Sequence, residues 1–156
     1  MFEIRRYEAR DREAVLSLHR KALERVGARP GDSPRFDDLG YIEEAFLKNR
    51  GEFLVGCVDG QVVAMGGVKR VSDTHAEIVR MRVMPEFQGQ GFGKAILLSL
   101  EAVARRLGYG ELTLQTTTRQ LAAQALYTRY GYHETERLED CGFEVIRYRK
   151  DLEPAE

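Results

Sequence analysis

Apolar residues along this chain change their spacing several times, and each change marks an element. At the start Phe2 and Ile4 alternate with Glu3 and Arg5, the period-two pattern of a short strand over Phe2–Tyr7. The spacing then lengthens. Val15, Leu18, Ala22 and Val26 recur at helical intervals behind Asp11, a suitable N-cap, and Gly27 is placed to end that helix. Residues 28–34 hold two prolines and Gly31 and read as a loop. A second helix is expected from Phe36 to Asn49, burying Leu39, Ile42 and Phe46, with Gly40 as its weak point.

Strand-like runs at Phe53–Val58 and Gln61–Val71 flank Asp59-Gly60, a strong two-residue hairpin signal. Ala76–Val83 follows a turn at Ser72–His75 as a further strand. A long helix spans about Gln90 to Leu107, with Ile96, Leu97, Leu100, Ala104 and Leu107 on one stripe and Gly108 closing it. Glu111–Thr117 reads as a strand, and Gln120–Tyr130 as a helix carrying Leu121, Ala125 and Leu126 and stopped by Gly131. Tyr132–Leu138 and Glu144–Leu152 finish as two strands joined through Asp140-Cys141-Gly142. The order β-αα-βββ-α-β-α-ββ predicts an α/β (α+β) fold, a mixed sheet flanked by helices. At 156 residues, without repeat, linker or low-complexity tract, one domain over residues 1–156 is expected.

Composition narrows the function classes. The formal net charge is -1, and Lys and Arg are spread along the chain, which disfavours a nucleic-acid partner. Cys57 and Cys141 lack the close spacing of a redox or zinc pair, and His19, His75 and His133 are dispersed, so no metal is expected. Two free thiols, no signal peptide and no apolar run of membrane length point to a cytoplasmic protein with no membrane partner.

Chemistry concentrates in Met81-Arg82-Val83-Met84-Pro85-Glu86-Phe87-Gln88-Gly89-Gln90-Gly91-Phe92-Gly93-Lys94. A strand stops at Pro85 and a glycine-dense turn opens directly into a helix. Free backbone N–H groups at such a helix start, aided by its dipole, make an anion cradle. Glycines at 89, 91 and 93 let a phosphate approach the backbone, and Lys94 adds charge at the rim. The triphosphate loop Gly-x-x-x-x-Gly-Lys-Ser/Thr is excluded, because Gln88 stands at the first glycine and Ala95 at the Ser/Thr. The dinucleotide fingerprint fails too: Lys94 occupies the place of its third glycine after Gly89-x-Gly91.

What remains, Gln/Arg-x-x-Gly-x-Gly/Ala after a strand ending in Val-x-Pro, resembles the GNAT superfamily of N-acetyltransferases, with Gln88, Gly91 and Gly93 in the signature places. A second stretch, Gln120-Leu121-Ala122-Ala123-Gln124-Ala125-Leu126-Tyr127-Thr128-Arg129-Tyr130-Gly131-Tyr132, is similar to the family's Asn-x-x-Ala-x-x-x-Tyr-x-x-x-Gly-Phe helix. Ala123, Tyr127 and Gly131 match; Tyr132 replaces Phe and Gln120 replaces Asn. The resemblance implies a GNAT-like domain, with a mostly antiparallel sheet of about seven strands and about four helices. It implies that the amides of Gln88, Gly89, Gln90, Gly91, Phe92, Gly93 and Lys94 hold the pyrophosphate of acetyl-coenzyme A. It also implies that Met81, Arg82 and Val83 face the pantetheine arm, joined by Gln120 and Ala123, where the glycine-loop strand and the next one splay apart.

An amine of pKa about 10.4 must lose a proton before it attacks a thioester, and a departing thiolate of pKa about 8.5 benefits from a donor. The resemblance assigns the donor to Tyr127 and the base to Glu77; the plain readings are a core tyrosine and a glutamate paired with Arg80 or Arg82. Val83 N–H is the candidate for the thioester oxygen. The acceptor is expected against the first two helices and the final hairpin, where Arg29, Asp32, Arg35, Asp37, Asp38 and Tyr41 supply both signs of charge. His133 reads as a solvated or core residue beside that region. A small amine is favoured as the acceptor, and the hydrophobic final strand is compatible with a homodimer. The competing readings are a non-catalytic acyl-coenzyme A sensor, a protein or peptide N-acetyltransferase, and a subunit of a larger acetylating complex.

Overall fold

The chain, seen as a computed structural model, is described over residues 1–25, 38–140 and 142–153. The expectations for the Ala22 side chain, Val26, Gly27, the 28–34 loop, Phe36 and Cys141 lie outside the described residues. Seven strands, β1 (Phe2–Arg6), β2 (Glu52–Val58), β3 (Gln61–Arg70), β4 (His75–Val83), β5 (Glu111–Thr117), β6 (His133–Asp140) and β7 (Phe143–Asp151), form one sheet in the order β1-β2-β3-β4-β5-β7-β6. Neighbours are antiparallel except β4 and β5. Among the described residues three α-helices accompany them: α1 (Arg12–Arg25), α2 (Phe92–Arg106) and α3 (Leu121–Arg129). The expected element order and mixed, mostly antiparallel sheet are what the chain forms. At the β2–β3 turn Asp59 and Gly60 take φ of 49° and 82°, the paired left-handed values a tight two-residue hairpin needs.

Two local expectations are corrected. Asp11 does not cap α1; it ends a 3-10 turn, Ala9–Asp11, whose cap is Glu8. Its buried carboxylate turns back to accept the Glu8 N–H at 2.8 Å and both Arg5 guanidinium nitrogens at 2.7 and 2.8 Å. A strand cation beside the helix start offers a charged partner, which is stronger than a neutral cap bond. The Arg5 guanidinium, foremost, holds the Asp11 carboxyl below its ordinary range. The second helix is irregular. Residues 38–40 form a 3-10 turn that Gly40 ends and Glu43–Leu47 a π-helical one, with Tyr41 and Ile42 between them. Leu39, Ile42 and Phe46 are nevertheless buried as expected. Phe46 meets the Phe53 ring edge-on at 5.2 Å, so tertiary packing outweighs regular backbone geometry here.

The core lies on both faces of the sheet. One face packs Ile78, Leu112, Leu114 and Ile146 against Ile96, Leu97 and Leu100 of α2. The other packs Phe53, Val55 and Met65 against Val15 and Leu18 of α1 and against Phe46. Gly66 and Gly67 in mid-β3 serve one face each. A Cβ on Gly66 would stand 2.8 Å from Leu100 Cδ1 and 3.0 Å from Ile96 Cγ2; one on Gly67 would meet Phe46 Cε1 at 2.8 Å. The adjacent glycines therefore set how closely α2 and Phe46 approach the sheet. Gly66→Ala is expected to lower unfolding stability by about 1–3 kcal/mol through overpacking, read as a lower urea midpoint at unchanged slope.

Candidate active site

The parallel neighbours β4 and β5 stay together only briefly. His75, Ala76 and Glu77 pair with Glu111, Leu112 and Thr113, and beyond them no β5 partner faces Ile78–Val83. Meanwhile β5 remains paired with β7 as far as Thr117. The two strands diverge, leaving the backbone edge of the second half of β4 facing a slot in the sheet.

Within that free stretch β4 carries a bulge. Arg82 stands opposite Met65 and Val79 opposite Gly67, so Arg80 and Met81 together oppose Gly66. Arg80 takes φ of 59°, left-handed for a non-glycine residue, at a cost of about 1–2 kcal/mol. The bulge reverses the alternation of the strand. Ala76 and Ile78 pack on the α2 face and Val79 on the α1 face; after the bulge Met81 and Val83 are back on the α2 face. Arg80 turns to the α1 side, where its Nε and Nη2 donate to Asp38 at 3.0 and 2.9 Å, and Lys69 Nζ reaches the same carboxylate at 2.7 Å. Arg80 and Asp38 are both nearly fully buried, so the pair offsets the strain at the bulge.

The glycine loop closes one end of the slot. After a 3-10 turn over Pro85–Phe87, Gly89 and Gly91 take φ of 79° and 85° and α2 begins at Phe92. The first helical bond runs from Ala95 N–H to Gly91 C=O at 3.1 Å, so the N–H groups of Phe92, Gly93 and Lys94 project without an intrahelical acceptor. Gln88 donates its side-chain amide to Val83 C=O at 3.1 Å, tying the loop to the end of β4. A Cβ on Gly93 would lie 3.6 Å from Val83 Cγ2 and 3.9 Å from Leu126 Cδ2, so the loop, β4 and α3 converge there. Lys94 Nζ stands 5.6 Å from the Tyr130 ring at the rim.

On the α3 side, Gln120 is anchored rather than loose. Its carbonyl oxygen accepts from Thr116 Oγ1 at 2.8 Å and from Thr117 N–H and Oγ1, both at 3.2 Å. Because a backbone N–H can only donate, the Gln120 amide oxygen faces Thr117 and its amide nitrogen points away from that contact as a donor. Tyr127 is buried against Tyr132 and Tyr148, with ring centroids 6.1 and 5.8 Å away, and burial pushes its phenol up to about 12. Tyr132, the family's phenylalanine position, uses its hydroxyl: it donates to buried Glu101 at 2.9 Å, which Lys150 Nζ also reaches at 3.1 Å. The second motif is thus locked to α2 and β7.

The structure gathers Met81–Val83, Gln88–Lys94, Gln120, Ala123 and Tyr127 around the parting of the sheet. Glu77 is set apart, on the part of β4 still paired with β5 and, by alternation, on the α1 face rather than the α2–α3 face of Tyr127. It pairs with neither Arg80 nor Arg82: among the described residues the Glu77 side chain makes no hydrogen bond or ion pair. Arg82 donates to Met81 C=O at 2.9 Å, and its charge acts on both Tyr127 and His19. Of the acceptor candidates, Asp38 is ion-paired with its side chain buried, Tyr41 is 67% exposed, and His133 is exposed on β6. Arg29, Asp32, Arg35 and Asp37 lie outside the described residues. Sequence reasoning missed buried His19, which burial, followed by Arg82 and Arg80, pushes down to about 3. It also missed the Arg80 bulge, for which only an arginine in mid-strand was visible. Among the described residues no group of three or more His, Cys, Asp or Glu could hold a metal ion, and no helix is long and apolar enough to cross a membrane.

Comparison with known proteins agrees with this geometry. A model of the Acetyltransferase (GNAT) family matches residues 12–132. The chain is 34% identical over 104 residues to human N-acetyltransferase 8, covering 63% of this chain and 46% of that protein. It is 28% identical over 128 residues to the aminoglycoside N(6')-acetyltransferase type 1 of Stenotrophomonas maltophilia, covering 76% and 79%. It therefore spans about half the length of the mammalian relatives it matches. Among solved structures, a GNAT-family acetyltransferase of Staphylococcus aureus Mu50 superposes with a TM-score of 0.88 at 18% identity, over 98% of this chain and 100% of that one. The Salmonella typhimurium yncA protein, solved with its cofactor acetyl-CoA, superposes with a TM-score of 0.82 at 21% identity, over 97% and 94%. With the glycine cradle, the parted sheet and the family model all matched within one stretch, this chain belongs to the GNAT family of acetyltransferases.

Proposed function

We propose that this protein transfers an acetyl group from acetyl-coenzyme A to a primary amine of a small acceptor, by direct attack while both substrates are bound. The carrying observation is the parting of β4 from β5 above a glycine cradle, a slot with an anion-binding end and an open middle. Backbone N–H groups of the 88–94 loop would hold the pyrophosphate, the edge of Met81–Val83 and the Gln120 amide the pantetheine. The thioester would then lie between β4 and Tyr127.

The new C–N bond forms as the C–S bond breaks. Glu77, on the acceptor side, takes the amine proton, and Val83 N–H stabilises the thioester oxygen as charge develops on it. Tyr127 donates a hydrogen bond to the departing sulfur. With its phenol pushed up to about 12 and a free thiol at about 8.5, complete proton transfer would run uphill by about 5 kcal/mol. The phenol therefore supports the thiolate and keeps its own proton, and solvent protonates the sulfur on release. Most of the acceleration comes from holding amine and thioester together, an effect of roughly 7–11 kcal/mol.

A small acceptor is supported by two relatives whose names specify one: the Stenotrophomonas aminoglycoside acetyltransferase and, at 32% identity over 105 residues, the N-acetylaspartate synthetase of Danio rerio.

Incubation with acetyl-coenzyme A and a panel of amino acids, polyamines, aminoglycosides and peptides, monitoring free thiol, is expected to show release that depends on one acceptor class. No release with any acceptor, despite tight coenzyme A binding, would favour a sensor. Tyr127→Phe is expected to lower kcat at least about tenfold with coenzyme A affinity retained, and Glu77→Gln to lower kcat/KM by a comparable factor. Gly91→Val, which forces a β-branched residue to φ of 85°, is expected to weaken coenzyme A binding at least about tenfold by calorimetry. Unchanged affinity would overturn the assignment of the loop.

A further inference from the structure

Lys69 on β3 and Glu77 on β4 are directly opposed across an antiparallel pair. Opposite charges so placed on one sheet face normally pair. Here they do not. Lys69 Nζ lies 2.7 Å from Asp38 Oδ2 and 5.8 Å from the Phe46 ring centroid. The same carboxylate takes Arg80, so the nearest cations of β3 and β4 on this face are both committed to one acid contributed by another segment.

The other charged and titratable groups around Glu77 are also engaged. His75, two residues earlier on the same face, places Nε2 2.7 Å from Oγ1 of Thr113, which is Glu77's partner on β5. Beyond β5, Arg149 opposes Thr113 and pairs with Glu111 and Asp151, while Arg147 opposes Gln115 and pairs with Glu136. Past the bulge, Arg82 donates to Met81 C=O. From α1, buried His19 stays neutral. Glu77 is left, among the described residues, with no ionic partner.

We propose that Asp38 is a positioning residue that diverts Lys69 from Glu77, keeping the Glu77 carboxylate available to accept the proton of the attacking amine. This rests on the reading of Glu77 as proton acceptor. Were Lys69 released, it would close the cross-strand ion pair, favour the carboxylate over its protonated form and weaken the base. The proton would still pass from amine nitrogen to Glu77 oxygen, but against the ammonium of Lys69.

The test is the pH dependence of acetyl-coenzyme A-dependent thiol release in a set of variants, each checked for folding by thermal melting. Asp38→Asn keeps the size and an acceptor oxygen for Arg80 but no longer holds Lys69. It is expected to move the acid limb of kcat/KM to lower pH by at least about half a unit and to lower kcat at least about threefold. Lys69→Met alone is expected to leave both at wild-type values, and Asp38→Asn with Lys69→Met to return the limb to its wild-type position. An unmoved limb in Asp38→Asn, or a limb still displaced after Lys69 is removed, overturns the proposal. Should Asp38→Asn not fold because buried Arg80 has lost its charge partner, Asp38→Asn with Arg80→Gln releases Lys69 in the same way and must show the same displacement. Glu77→Gln separates the two readings. If it keeps the wild-type limb, Glu77 is not the proton acceptor; if it abolishes the limb while Asp38→Asn leaves it unmoved, only the role of Asp38 fails.

Discussion

The architecture depends on the place where two parallel strands stop pairing. β4 and β5 share three residue pairs and then separate, so among the described residues the second half of β4 has no strand partner on that edge, in the middle of a seven-stranded sheet. An unpaired interior edge is costly unless something satisfies it, because backbone donors and acceptors buried without partners lose about 1–3 kcal/mol each. The surroundings are arranged to keep that edge open. β5 is held away by its full-length pairing with β7, and α3 is tied to β5 through Gln120 and to α2 and β7 through Tyr132, Glu101 and Lys150. In the proposed reaction the pantetheine arm completes the missing ladder.

A second layer of control acts on β4 itself. The bulge at Arg80 resets the alternation of side chains, so that Met81 and Val83 pack on the α2 face while Arg80 turns to the α1 side. The left-handed backbone at Arg80 is disfavoured locally, and a buried ion pair with Asp38 holds it. Removing one partner of such a pair is far more destabilising than the pair is stabilising, which makes it a device for specifying one geometry. Because Asp38 belongs to the segment between α1 and β2, that segment and the strand bordering the slot are mechanically joined. The same carboxylate collects Lys69, so the electrostatics around Glu77 follow from the packing of that segment.

Much of this was legible in the chain. Period-two and helical spacing located the seven strands, α1, α2 and α3, and Asp59-Gly60 marked its hairpin, because these signals are local. The glycine loop could be read for the same reason: a strand, a run of glycines and a helix start are contiguous, so their juxtaposition needs no knowledge of the fold. Asp11 was misread as a cap because its competing partner, Arg5, lies on a different element. The regular second helix was misread because the packing of Phe46 on Phe53 depends on a contact between distant segments.

By itself, then, the sequence determined the element order, the glycine-rich turn that opens α2 and the register of Tyr127 in its motif, all consequences of spacing along one stretch of backbone. The resemblance implied that β4 and β5 splay apart; only the tertiary structure decided that they do so after Glu77, that Arg80 sits in a bulge, and that Lys69 turns to Asp38 instead of to the glutamate opposite it. Those outcomes rest on competition between partners from separate segments, and one carboxylate cannot be matched to its cation until the chain has brought the alternatives together.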